Sequence, residues 1–237
     1  MSCHIISAYD EDLEFLFLNI VEMGVLARKM VDSSVRAFID GNTVLAHKVI
    51  DSDIVLDQLE RDIGDKAIIT IAKRQPMASD LREIMGSIRI AADLERVGDL
   101  AKNTAKRVLA LQTLGVPRKL VSTIEPLATL SLEQLSEIVD VYVSRSTEKA
   151  QEICNRDDEL DSMHTSLFRE LLTYMMEDPR NITLCTHLLF CSKNIERIGD
   201  HVTNIAETIQ YVTTGIQPHG DRLRQENNTK ISDKDLS

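Results

Sequence analysis

Residues 94–100 read LERVGDL, and about a hundred residues later residues 195–201 read IERIGDH. Each stretch lies inside a long segment whose apolar residues recur at helical spacing. Yet each puts two acids four residues apart on one helix face, with a glycine between them. Glu95 and Asp99 repel each other in that arrangement, and Gly98 costs about 1 kcal/mol relative to alanine in a helix interior. The unfavourable turn occurs twice because a larger unit does. Shifting the chain by 101 residues lays Glu95, Arg96, Gly98, Asp99, Asn103 and Ala105 on Glu196, Arg197, Gly199, Asp200, Asn204 and Ala206.

Working outward, apolar periodicity and breakers divide the chain into six long helices. Leu13, Leu16, Phe17, Ile20, Met23, Ala27 and Met30 form the stripe of a first helix, expected over residues 10–39 and ended by Asp40-Gly41. A second is expected over 43–74 and is broken by Pro76, and a third over 78–114, stopped by Gly115 and Pro117. The second half repeats the plan with helices over 120–144, 146–176 and 181–214, separated near Ser146 and at Asp178-Pro179. Ser122 and Glu125 have capping-box spacing, and Pro126 marks a helix start or a kink. The expectation is all-α: two tandem, related three-helix bundles over residues 1–114 and 115–215, then a flexible polar tail over 216–237.

The chain has 237 residues, 38 acids against 27 bases, a net charge of −11 and no tryptophan. Such acidity is a poor match for nucleic acid, whose phosphates attract basic patches, and suits cations. Cys3, Cys154, Cys185 and Cys191 form no CxxC pair and read as small hydrophobic thiols in a reducing compartment. Without a basic, apolar leader or an 18-residue apolar run, the chain reads as cytoplasmic.

Seven i, i+4 acid pairs occur, and four of them form two related sets. Asp53/Asp57 returns as Asp157/Asp161, and Glu95/Asp99 returns as Glu196/Asp200. In an antiparallel hairpin, residues equidistant from the turn lie side by side. The first two pairs are mirrored about Pro76 and the second two about the junction of Asp178 and Pro179. Both hairpins therefore bring four carboxylates to one level, roughly 30 Å from the turn at 1.5 Å rise per residue. Four such charges need protons or a cation, and one arginine per set, Arg96 or Arg197, does not balance them. Oxygen-only ligation suits magnesium, manganese, calcium or iron, with zinc kept in the expected set. Gly98 and Gly199 would leave room for an ion or a closely packed helix. His47, His164 and His187 have no counterpart in the other half and read as ordinary surface or core residues.

QPMASDLREI at 75–84, DLERVGDLAKN at 93–103 and NIERIGDHVTN at 194–204 resemble the PhoU family of phosphate-uptake regulators, and the resemblance covers about residues 10–214. It implies a pair of three-helix bundles whose acid motifs hold metal clusters. Carried over by position, the ligands are Glu95, Asp99, Glu196 and Asp200 with Asp53, Asp57, Asp157 and Asp161, and Arg96, Arg197, Asn103 and Asn204 adjoin them. It also implies a homodimeric negative regulator of the phosphate-starvation response. Such a protein contacts the ATPase subunit of a phosphate ABC transporter and the PAS region of a sensor histidine kinase, and meets the inner membrane only through these partners. A carboxylate-bridged metalloenzyme, or a helical protein that binds no metal, are the competing readings of the same residues.

Overall fold

A computed structural model describes residues 2–112 and 118–217, with side chains described for 8–112 and 120–217. Every regular element among them is helical. The first bundle comprises α1 (Ser2–Asp40), α2 (Thr43–Arg74) and α3 (Ser79–Leu111). The second comprises α4 (Arg118–Val121), a 3-10 turn (Ser122–Ile124), α5 (Glu125–Ser144), α6 (Thr147–Asn155), α7 (Asp157–Glu177), a second 3-10 turn (Pro179–Asn181) and α8 (Ile182–Thr214). These stack end to end as six helical columns, three to a bundle. The expected stop at Gly115 and Pro117 and the expected tail from residue 218 onward lie outside the described residues.

The ends follow local chemistry. Gly41 turns the chain at φ 62, and the Asn42 side chain then accepts from the Leu45 amide at 3.0 Å. Asp178 caps the turn before α8 by accepting from the Arg180 amide at 3.0 Å. α1 starts eight residues before the expected position, at Ser2 rather than Asp10.

Two expected helices are interrupted. Ser122 and Glu125 do not form a capping box; the Glu125 amide bonds the Ser122 carbonyl in a 3-10 turn, and Pro126 sits in the first turn of α5. The column expected over 146–176 breaks at Arg156, whose φ of −93 and ψ of 1 leave the helical region. Asp157, Asp158 and Glu159 follow directly and fill the first turn of α7, where the helix dipole favours acids. Arg156 is held there by Glu137, with Nη2 2.5 Å from Oε2.

One apolar core runs through both bundles. Met23, Met30, Leu56, Ile63, Ile84 and Ile90 fill the first, and Ile124, Leu127, Leu135, Ile138 and Ile153 the second. Across the seam α3 runs antiparallel to α8, and α1 packs on α5. Two glycines permit this approach: an added Cβ on Gly86 would lie 2.3 Å from Val212 Cγ2, and one on Gly24 2.6 Å from Val139 Cγ2. Phe17 stacks on Tyr142 at 5.3 Å between ring centroids, and Arg145 joins Glu83 across the same seam. Cys185 and Cys191 are buried free thiols, and burial pushes the Cys191 thiol up to about 12, so it stays protonated.

Candidate metal centre

The hairpin geometry holds. Asp53 and Asp57 on α2 lie level with Glu95 and Asp99 on α3, and Asp157 and Asp161 on α7 lie level with Glu196 and Asp200 on α8. The packing beneath the acids sets this register. An added Cβ on Gly98 would fall 2.2 Å from Leu56 Cδ2, and one on Gly199 2.4 Å from Leu160 Cδ2. Leu56 and Leu160 are the same position in the two halves, so one knob fills one notch twice. The glycines therefore admit a leucine of the neighbouring helix, so of the two expectations, an ion or a closely packed helix, the closely packed helix holds at both positions. Their turns are two-faced: Leu94, Val97 and Leu100 face the core, while Glu95 and Asp99 point toward the acids of α2.

The first set is not left to one arginine. Lys102, one turn beyond Asp99 on α3, places Nζ 2.5 Å from Asp53 Oδ2 and 2.5 Å from Asp99 Oδ1. The Asp53 side chain is only 9% exposed. Burial works against the Lys102 charge, but its bonds to Asp53 and Asp99 prevail and hold its pKa above the ordinary lysine value. Arg96 adds Nε 3.3 Å from Glu95 and Nη1 3.2 Å from Asp99, and Arg61 lies 3.8 Å from Asp57. Burial raises the Glu95 pKa, and Asp99, Asp57 and Glu60 raise it further against the opposing Arg96. Lys102 was legible as an i, i+3 partner of Asp99, but its reach to Asp53 depends on the fold.

The second set is neutralised differently. At the position equivalent to Lys102 stands Thr203, with Oγ1 3.1 Å from Asp157 Oδ1 and 3.2 Å from the Gly199 carbonyl. Lys193 approaches from its own helix, with Nζ 2.6 Å from Glu196 Oε1 and 2.5 Å from Oε2. Burial raises the Asp161 pKa, and the charges of Asp157 and Asp200 add to it. His164 lies in this neighbourhood, near Glu196, Lys193 and Asp161. Burial lowers its pKa against the nearby Glu196 and Asp161, and its Nδ1 is buried without a hydrogen-bond partner. The Asp161-x-x-His164 spacing was the available signal.

The expected supporting residues mostly lie elsewhere. Arg197 and Asn103 are exposed. Asn204 reaches across the seam toward Asp93, at 3.5 Å. His201 does the same, with Nδ1 2.9 Å from Asp93 Oδ1.

Among the described residues, no three His, Cys, Asp or Glu side chains converge as they stand on one coordination sphere. The donor chemistry nevertheless differs between the sets. In the second, crowded carboxylates and a partnerless imidazole nitrogen suit a hard or borderline cation. In the first, an ammonium already lies between Asp53 and Asp99. No helix among the described residues is long and apolar enough to cross a membrane.

Comparison with known proteins places this architecture. In sequence the chain is 67% identical over 223 residues to a phosphate-specific transport system accessory protein PhoU homolog of Rhizobium meliloti, covering 94% of each. It is 42% identical to the Caulobacter vibrioides homolog, covering 91% of this chain and 94% of that one. In structure it is similar to PhoU from Pseudomonas aeruginosa, with a TM-score of 0.84 and 33% identity over 88% of this chain and all (100%) of that one. The phosphate transport system regulatory protein PhoU from Streptococcus pneumoniae gives a TM-score of 0.81 at 25% identity, covering 89% and 99%. The PhoU domain matches twice, over residues 20–108 and 124–209, once for each bundle, and the chain belongs to the PhoU family.

Proposed function

We propose that this chain is a cytoplasmic regulatory adaptor of a phosphate transport system that restrains the phosphate-starvation response. The observation that carries the reading is the 67% identity, over 94% of both chains, to a relative named as a phosphate-specific transport system accessory protein. One partner is then the ATPase subunit of the phosphate ABC transporter and the other the PAS region of a sensor histidine kinase, the pair that the family resemblance implies. The active form is a homodimer that reaches the inner membrane only through these partners.

The acid sets give the adaptor a way to present positive charge on an acidic surface. Asp157, Asp161, Glu196 and Asp200, with His164 beside them, hold a divalent or trivalent ion such as iron, manganese, magnesium or zinc. The ion supplies a charge that a carboxylate or phosphate on a partner completes. The chain's own residues set where that charge sits: the Leu160–Gly199 contact fixes the height of α7 against α8, and Lys193 orients Glu196.

Deleting the gene should switch a phosphate-starvation reporter on in phosphate-rich medium, and the wild-type gene should switch it off again. Tagged protein should retain the transporter ATPase subunit and the kinase PAS fragment in pull-downs. A deletion strain with normal repression in high phosphate would overturn the proposal.

A further inference from the structure

We infer that the first bundle carries a docking surface for an acidic amphipathic helix of a partner protein, built from the start of α3 and the end of α8. The surface stands apart from the acid sets and does not depend on the metal reading.

Its charge is opposite to that of the chain, which is −11 overall. Leu81, Arg82, Met85, Gly86, Arg89 and Tyr211 line a recess of about 220 Å3 whose only charged groups are the two arginines. Elsewhere on the surface recesses include carboxylates, as with Glu137, Asp140 and Glu152 between α5 and α6. Neither Arg82 nor Arg89 has a carboxylate partner among the described residues. The acids nearest in sequence are engaged elsewhere: Glu83 joins Arg145, and Asp80 lies beside Tyr9 of α1. Arg82 lies over Gly215 at the end of α8, where a Cβ added at φ 75 would be 3.3 Å from its Cζ. Its Nε is buried without a hydrogen-bond partner. Arg89 lies over the Tyr211 ring, with Cζ 6.0 Å from the centroid.

Around the arginines the surface is apolar. Met77 is 81% exposed, Leu81 and Met85 follow it at helical spacing and are also exposed, and so is Ile216 beside Gly215. Methionine side chains adapt to the shape of a partner. Met77 sits in a turn where Gln75, at φ 50, and Ala78, at φ 46 and ψ −105, both take positive φ without being glycine. That turn opens QPMASDLREI, a stretch the acid sets do not use. The bundle fold does not require these side chains. The second half has Thr183 in place of Arg82, Thr186 in place of Met85 and Phe190 in place of Arg89.

Arg82 and Arg89 are seven residues apart, roughly 10 Å along α3 at 1.5 Å rise per residue. A helix laid along α3 with carboxylates at i and i+7 reaches both, and an apolar side chain at i+3 or i+4 faces the recess. Other occupants fit less well. Two copies of this surface would set arginine against arginine. Residues 218–237 hold four acids and four bases, so they bring no net negative charge. An anionic bilayer attracts the arginines but repels the rest of an acidic chain.

The test is the fluorescence anisotropy of a labelled helical peptide titrated with the full chain, the peptide carrying Glu at i and i+7 and Leu at i+3 and i+4. It should bind about tenfold more tightly than the same peptide with Gln for Glu. Arg82→Gln with Arg89→Gln should weaken it about tenfold, and Met85→Ser about fivefold, with helix content and melting temperature unchanged. Arg82→Glu with Arg89→Glu should transfer the preference to a peptide with Lys for Glu, which a merely structural role of the arginines would not do. Equal affinity for the Glu and Gln peptides, no measurable binding of either, or binding that survives Arg82→Gln with Arg89→Gln would overturn the inference. Retention on phosphatidylglycerol vesicles that needs both arginines, without peptide binding, would overturn it in favour of a membrane contact. Peptide binding that tightens about tenfold when residues 218–237 are removed would overturn it in favour of the chain's own end.

Discussion

Replacing Gly98 by alanine tests whether the duplicated glycine turn exists for packing. The new methyl carbon would lie 2.2 Å from Leu56 Cδ2 and 3.5 Å from Met30 Cε. Leu56 is 0% exposed and Met30 2%, so the leucine has no open space to rotate into. Overpacking of this kind costs about 1–3 kcal/mol, and the better helix propensity of alanine returns about 1 kcal/mol. Given so short an approach, the net loss should be about 1–2 kcal/mol. Gly64, also inside a helix of the first bundle, supplies the control: its added Cβ would meet nothing within 4 Å. Gly64→Ala should therefore gain about 0.5–1 kcal/mol from propensity alone.

Urea denaturation reads both variants through the midpoint at constant slope. Leu56→Ala alone opens a cavity and should cost about 2–5 kcal/mol. Combined with Gly98→Ala it should cost about 1–2 kcal/mol less than the two single losses together, because the methyl enters the vacated volume. Gly199→Ala with Leu160→Ala should repeat the pattern, from a 2.4 Å approach. A Gly98→Ala protein as stable as Gly64→Ala, or strictly additive losses in the double variant, would refute the packing argument.

Asp12 ties α1 to α2, with Lys66 Nζ at 2.6 Å and Arg74 Nε at 3.4 Å, and the hydrogen bond from Lys66 leads in holding its carboxyl below the ordinary value. A lowered folded pKa stabilises the fold above the unfolded value and loses that effect as pH falls through the folded one, so Asp12→Asn should cost about 1 kcal/mol at pH 7 and converge with wild type in acid. Asp161 has the opposite sign: burial, then Asp157 and Asp200, raise its pKa, so ionisation destabilises the metal-free fold as pH rises. Asp161→Asn should raise the melting temperature of chelator-stripped protein at pH 7, lose that advantage below the carboxylate range, and lower the melting temperature once Mn2+ is added. His201→Leu, which installs the residue of the first half, removes the 2.9 Å contact to Asp93 and should cost about 0.5–1.5 kcal/mol in urea denaturation.

The helical columns were legible because apolar residues mark a 3.6-residue period over thirty residues at a time, and because Gly41, Pro76 and Pro179 interrupt it. The break at Arg156 was not, since no glycine or proline marks it. Its trace in the sequence is the run Asp157, Asp158 and Glu159, which suits a helix start better than a helix middle. The level of the acids followed from mirror distances about the turns and required no side-chain information. Their neutralisation did require it. Lys102 stands at an ordinary i, i+3 spacing from Asp99, and only the approach of α2 delivers Asp53 to the same ammonium. Gly98 and Gly199 mark room for an ion or a closely packed helix, and the tertiary partner decides between them: a leucine of the neighbouring helix in both halves.

Duplication also separates residues that serve packing from those that serve each half alone. Leu56 and Gly98 recur as Leu160 and Gly199, and their contact recurs with them. At the seam the repeat fails in a specific way. Asp93 and Asn194 are equivalent residues on antiparallel helices, so symmetry would give them equivalent partners. Asp93 instead meets His201 at 2.9 Å, while the Asn194 amide lies 3.3 Å from the Thr104 hydroxyl. The residue equivalent to His201 is Leu100, which is buried among apolar neighbours at 4% exposure. A buried leucine offers Asn194 no polar atom, so the asparagine pairs farther along α3. The seam is therefore held by unlike contacts, and the acid sets on either side of it meet unlike residues, the Lys102 ammonium in one and the Thr203 hydroxyl with Lys193 in the other. A fully symmetric pair of bundles would present two identical faces and compete with itself for each partner. Bundles that share a fold and differ in charge present two distinguishable faces, as the proposed adaptor role requires.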